Sequence, residues 1–240
     1  MTTRPVSGSS LEYSVERALR MAARAYGRHG LSHAYGHCSA RLDDARFLVC
    51  PPLPMRLVPP GAPSTVLRID EDVPPDVLGE VRIHQQIYRR RRDVRAVART
   101  MPPAVMALGV ARLVPRALHG LGSYFGAGPA LWDDPQLVRD DATARRVAMT
   151  LGEHKAVVLR GNGLVVAAES VMHALVLTWY LEDAARLDLA VRSAGLSEEA
   201  VSLDESERAR RATAAGGIFE RMWRYLTAGD PEAMEEDAST

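Results

Sequence analysis

Residues 79–108 read GEVRIHQQIYRRRRDVRAVARTMPPAVMAL, and this stretch decides the fold. Leu78–Arg92 is predicted as a helix, with Glu80 and His84 one turn apart on a single face. It ends in Arg89–Arg92, a basic run that complements a helix C-terminus. After Asp93 and Val94, Arg95–Arg99 reads as a short strand. Pro102 and Pro103 then open a second helix from Ala104 to Gly109, because proline is tolerated in a first helical turn. Helix, strand and helix in such quick succession read as an α/β protein.

Toward the N-terminus, Ser10 is a candidate cap for a helix over Leu11–His29, whose inner face carries Val15, Leu19, Ala22, Ala23 and Tyr26. Gly30 stops that helix. Gly36, within His33–Arg41, permits a close backbone approach to a ligand. Phe47–Cys50 and Val66–Ile69 read as strands. Pro51–Pro63 between them is proline-rich, and Asp70–Asp76 is an acidic loop. Toward the C-terminus, Leu113–Phe125 is expected to hold a short strand and a glycine-rich loop. Asp134–Leu151 is expected to be helical, with Val138, Ala142, Val147 and Leu151 inward. Ala156–Arg160 and Leu164–Ala168 form a hairpin around Gly161-Asn162-Gly163. Ser170 caps a long helix, Val171–Ser193, and one more amphipathic helix surrounds Ile218, Met222, Trp223 and Leu226. The expected organisation is a flexible stretch 1–9, one domain over 10–195, and a helical extension 196–240 whose last ten acidic residues are disordered.

Composition narrows the function classes. The 240 residues carry 30 Lys plus Arg and 30 Asp plus Glu, so there is no excess cation for neutralising nucleic-acid phosphates. A hydrophobic fraction of 47% with 25% charged residues is that of an ordinary globular domain. Cys38 and Cys50 make neither a disulfide framework nor a CxxC metal word. No apolar leader is present, and charges interrupt the most apolar helix, so neither a signal peptide nor a membrane span is expected. A reducing cytoplasm is the simplest location.

Several words together resemble the class II aldolase/adducin family. They are a glutamate opening a helix, His84…Ile87-Tyr88 followed by Arg92-Asp93-Val94, the word Gly36-His37-Cys38-Ser39-Ala40-Arg41, the run Phe47-Leu48, and Leu159-Arg160-Gly161-Asn162-Gly163-Leu164. The resemblance covers roughly residues 10–195. It implies a three-layer α/β/α domain with a central mixed sheet, and homotetramers with sites at subunit interfaces. It also implies zinc held by three histidines. Here those three positions are Arg99, Met101 and Asn162, which are poor zinc ligands, so no zinc or other cofactor is expected. The family's phosphate-contact words are also replaced, by prolines in 51–63 and by Leu78-Gly79, which points to a substrate without a phosphate.

The resemblance assigns Glu80 as acid/base; the plainer alternative is a helix-start carboxylate. Arg99 either replaces the metal as electrophile and carboxylate binder or is a structural ion-pair residue. His37 is an acid/base or donor, or braces its turn. His84 binds substrate or orients Glu80, or merely packs. Ser39, Met101 and Asn162 are candidate substrate contacts. Tyr124 is a candidate proton donor, or an aromatic plug. A relocated metal site would use His37 with Glu80 or His84. The expected activity is a lyase of enolate type (aldol cleavage, decarboxylation, dehydration or a related cyclisation) acting without zinc on a small carbonyl or hydroxyaromatic carboxylic acid. The alternatives are a metal-free binding or scaffold protein and a metal-dependent member with rearranged ligands.

Overall fold

A computed structural model describes residues 10–233, so the expected flexible segment 1–9 lies outside the described residues. The first half holds α1 (Ser10–Arg28), β1 (His37–Arg41), β2 (Arg46–Val49), β3 (Thr65–Arg68), α2 (Val81–Arg90), β4 (Ala96–Thr100) and α3 (Pro103–Val110). The second half holds β5 (Ala130–Trp132), α4 (Asp141–Leu151), β6 (Ala156–Leu159), β7 (Gly163–Ala168), α5 (Val171–Ser193), α6 (Glu205–Arg211) and α7 (Ile218–Thr227). The seven strands form one sheet in the order β3-β2-β1-β4-β7-β6-β5. Only β5 and β6 run parallel; the other pairings are antiparallel. The sheet is therefore mixed, as expected.

Strand side chains alternate between two faces, and each face buries its own core. Cys38, Ala40, Ala96, Ala98, Leu164 and Val166 turn toward α1, α3 and α5. Val97, Val165, Val157 and Leu159 turn toward α2 and α4. This makes three layers. The parity also sends His37, Ser39 and Arg41 of β1, and Arg99 of β4, to the α2 side. There β1 and β4 pair His37 opposite Arg99.

Several expectations are corrected. Asp134–Asp140 is a loop: Asp140 accepts a hydrogen bond from Thr143 N–H (2.8 Å) and caps a helix that starts only at Asp141. Val138 is buried, but from that loop. Leu113–Phe125 holds no strand; Gly120–Phe125 is a 3-10 turn. The extension beyond 195 contains two helices, α6 and α7. The acidic end begins with ordered residues: Glu232 is buried against Arg20 and Arg24, while 234–240 lie outside the described residues. No described helix is long and apolar enough to cross a membrane.

Candidate active site

Glu80 sits at the start of α2 yet makes no capping hydrogen bond to its own helix. Its carboxylate turns to the sheet instead. Arg99 Nη2 approaches one oxygen at 3.1 Å. The other oxygen accepts Asn162 Nδ2–H at 3.1 Å and Val138 N–H at 3.3 Å. Arg99 Nη2 also donates to Asn162 Oδ1 at 2.6 Å, closing a three-membered polar ring. Three distant segments thus meet at one carboxylate: the head of α2, the end of β4, and the β6–β7 turn. The turn reaches β4 because position 163 is glycine. Gly163 has φ +95°, and a Cβ there would lie 2.1 Å from the Thr100 carbonyl oxygen.

Beside this ring stands a chain of four buried polar side chains. His37 Nδ1 lies 2.9 Å from His84 Nε2, His84 Nδ1 lies 2.7 Å from Ser39 Oγ, and Ser39 Oγ lies 2.8 Å from Tyr88 Oη. The direction of the chain is set by the tautomers of the two rings, and one direction turns a proton toward the cleft. With Tyr88 O–H donating to Ser39, Ser39 donates to His84 and His84 Nε2–H donates to His37 Nδ1, which puts the one proton left over at the cleft end of the chain. His37 then carries its own proton on Nε2, which is buried and has no partner among the described residues. Burial pushes His37 well below its ordinary imidazole pKa, reinforced by His84 and Arg99. Burial, with Arg99, pushes His84 down to about 3. Both rings are neutral at pH 7, and His37 offers a neutral N–H donor. Burial also lowers Arg99 from its ordinary value, with Glu80 opposing; guanidinium stays a cation in proteins.

His37, Glu80, Arg99, Met101 and Asn162 all line one cleft of about 640 Å³. Its remaining walls include Tyr35, Pro52, Leu53, Pro54, Leu137 and Arg139. A cleft of this volume takes a small organic molecule. Of the expected substrate contacts, Met101 and Asn162 are at this wall. Ser39 and His84 are not: both are buried behind His37, which they orient. His37 is the first residue of a strand and not part of a turn. Tyr124 is not brought to the cleft within the chain. It donates to the Thr213 carbonyl at 2.8 Å and stacks near Tyr180 and Phe219, lining a different cavity. Cys38 faces the other layer as a buried thiol pushed up by burial.

The reading from sequence missed Tyr88, Leu137 and Arg139. Tyr88 was findable, since Glu80, His84 and Tyr88 repeat every four residues on one helical face. Leu137 and Arg139 had no local signal, because only the docking of loop 134–140 beside Glu80 brings them there.

A sequence profile described as the Class II Aldolase and Adducin N-terminal domain matches residues 17–189. The chain belongs to this family. The 3,4-dihydroxyphthalate decarboxylase of Arthrobacter keyseri is 30% identical over 227 residues, covering 87% of this chain and 90% of the relative. The like-named enzyme of Terrabacter sp. (strain DBF63) is 30% identical over 203 residues, covering 76% and 84%. Among solved structures, an aldolase II superfamily protein from Pseudomonas syringae superposes with a TM-score of 0.75 at 26% identity, covering 91% of this chain and 92% of that one. The chain is accordingly a lyase of the class II aldolase type. The zinc that the family implies does not fit the donors found here. Arg99 puts a cation where a ligand would stand, and the Asn162 amide is already used by Arg99 and Glu80. No group of three or more His, Cys, Asp or Glu that could hold a metal occurs among the described residues.

Proposed function

We propose that this class II aldolase is a decarboxylase of small, non-phosphorylated hydroxyaromatic carboxylic acids that works without zinc. The observation that carries this reading is the Arg99–Glu80–Asn162 ring beside His37 in a cleft of fitting size. Glu80 takes the proton of a phenol next to the ring carbon that bears the carboxylate. Arg99 compensates the negative charge that develops on the phenolic oxygen, the task a metal performs in relatives with histidine ligands. Glu80 returns the proton to that ring carbon, giving a dienone. The bond from the ring carbon to the carboxylate then breaks, its electron pair restores the aromatic ring, and CO₂ leaves. The phenolate takes a proton from solvent, so the step consumes one proton overall. His37 Nε2–H fixes a substrate oxygen throughout. The two decarboxylase relatives support the aromatic acid as substrate class. By family, the chain works as a homo-oligomer.

The test measures CO₂ and the hydroxyaromatic product from 3,4-dihydroxyphthalate and 2,3-dihydroxybenzoate, with hydroxyl-free phthalate as a control. Glu80→Gln is expected to lower kcat by about 10²–10⁴-fold with little change in melting temperature, as loss of a proton-transfer group does. Arg99→Ala is expected to lose about 10²-fold, as loss of one charge-stabilising donor does. Prior treatment with a chelator should leave wild-type turnover unchanged. Unaltered turnover in Glu80→Gln, or turnover of no hydroxylated acid, would sink the reading.

A further inference from the structure

Charges around the cleft do not cancel. Glu80 is the one acidic side chain among the lining residues, and Arg99 occupies it. Arg139, at the exposed rim, makes no ion pair or hydrogen bond with any described residue. Its acidic neighbours in sequence are committed elsewhere. Asp140 caps α4 through Thr143 N–H, and Asp141 pairs with Arg82 at 2.7 Å. Nor is Arg139 a stray surface residue. Val138, immediately before it, is 1% exposed and donates its N–H to Glu80. The backbone that carries the free guanidinium is therefore tied to the proton-transfer carboxylate.

We propose that Arg139 binds a second carboxylate of the substrate, the one that is retained, so that the cleft selects hydroxyaromatic dicarboxylic acids over monoacids. The proposal rests on the decarboxylase reading. As CO₂ departs, negative charge leaves the scissile carboxylate for the ring. A cation clamped on that group would stabilise the ground state more than the transition state and slow the reaction. A guanidinium on a carboxylate that keeps its charge adds binding and orientation without that penalty. The retained carboxylate is unchanged by the reaction, so no further proton or electron is needed.

The experiment compares wild type, Arg139→Ala and Arg139→Lys on 3,4-dihydroxyphthalate and on 2,3-dihydroxybenzoate. The latter lacks the second carboxylate. Arg145→Ala, an exposed position outside the cleft with the same change of charge, is the control. In Arg139→Ala, KM for the diacid is expected to rise about 10–100-fold, the usual worth of a charge-assisted contact. The diacid-to-monoacid ratio of kcat/KM should then fall at least about tenfold, with part regained in Arg139→Lys and none lost in Arg145→Ala. Equal losses on both substrates, or no loss on either, would overturn the assignment. If wild type decarboxylates neither acid, the decarboxylase reading fails by itself, and calorimetric binding of phthalate against benzoate decides Arg139. Preference for the dianion in wild type that vanishes in Arg139→Ala supports the subsite; equal preference in both refutes it.

Discussion

His84 is fully buried between two polar neighbours and has no route to a charge of its own. Its folded pKa lies near 3 and that of His37 is also far depressed, whereas both take a proton near pH 6.5 in the unfolded chain. Stability is therefore unaffected by these groups above about pH 6.5 and falls as pH drops below it, because only the unfolded state binds the protons. Each ring contributes about 1.4 kcal/mol per pH unit in that window. Replacing His84 by Gln should make the loss of unfolding free energy between pH 7 and pH 5 about 2 kcal/mol smaller, measured by urea titration at both values. An identical pH dependence would mean that His84 is charged or solvated in the fold. At this scale the sequence was informative where contacts are local. Glu80 and His84 share a helical face, and four-residue spacing displays it. The pairing of His37 with Arg99 was hidden, since strand register is a long-range property. So was the retreat of Ser39 and His84 behind His37: a word such as GHCSAR shows its residue types but not which of them the strand turns toward solvent.

The β6–β7 turn is the element on which the site depends most, since it carries Asn162 between two glycines. Gly161-Asn162-Gly163 was legible as a hairpin. The closeness of its second glycine to the Thr100 carbonyl was not, because β4 is some sixty residues away in sequence. Gly163→Ala must relieve both a left-handed backbone and a collision with backbone oxygen. An expected cost of about 2–4 kcal/mol in unfolding free energy follows from the incompatible conformation plus the displaced neighbour. Asn162 should shift with the turn, so kcat should fall more than the stability loss explains. Normal kcat in a folded Gly163→Ala protein would detach the turn from catalysis. Loop 134–140 shows the opposite kind of failure. Val138 is buried as a helical residue would be, whereas Ala142, expected on the same inner face, is exposed. Asp140 nevertheless caps the helix late, and the loop spends Val138 N–H on Glu80 instead of on a helical carbonyl. The burial of Val138 does not report which backbone bonds its segment makes.

The whole molecule is closed by its C-terminal end. Asp230 pairs with Arg24 at 2.6 Å and Arg28 at 2.9 Å, and Glu232 pairs with Arg20 at 2.5 Å and Arg24 at 2.6 Å. These contacts bring the tail back onto α1, which the acidic composition of the end concealed. The same cluster grips the proline-rich segment that supplies a wall of the cleft. Arg24 donates to the Val58 carbonyl at 3.1 Å, Arg20 to the Ala62 carbonyl at 3.3 Å, and Gly61 N–H donates to Glu232 at 3.3 Å. Burial pushes both carboxylates up, but hydrogen bonds from Arg24 to Asp230 and from Arg20 to Glu232 outweigh it and hold both below their ordinary values. Their contribution is complete above the ordinary carboxylate pKa near 4 and is lost as pH falls further, a window separate from that of the histidines. A chain ending at Ala228 leaves Arg20 and Arg24 buried without these acids, and removing one side of a buried pair costs about 3–5 kcal/mol. The truncated protein should therefore unfold several degrees lower and lose its acid transition near pH 4. With residues 58–62 released, KM should rise while kcat changes less, since Glu80, Arg99 and Asn162 are held by other elements. Truncation that lowers kcat and leaves KM alone would show that the tail acts on the polar ring and not on the cleft wall.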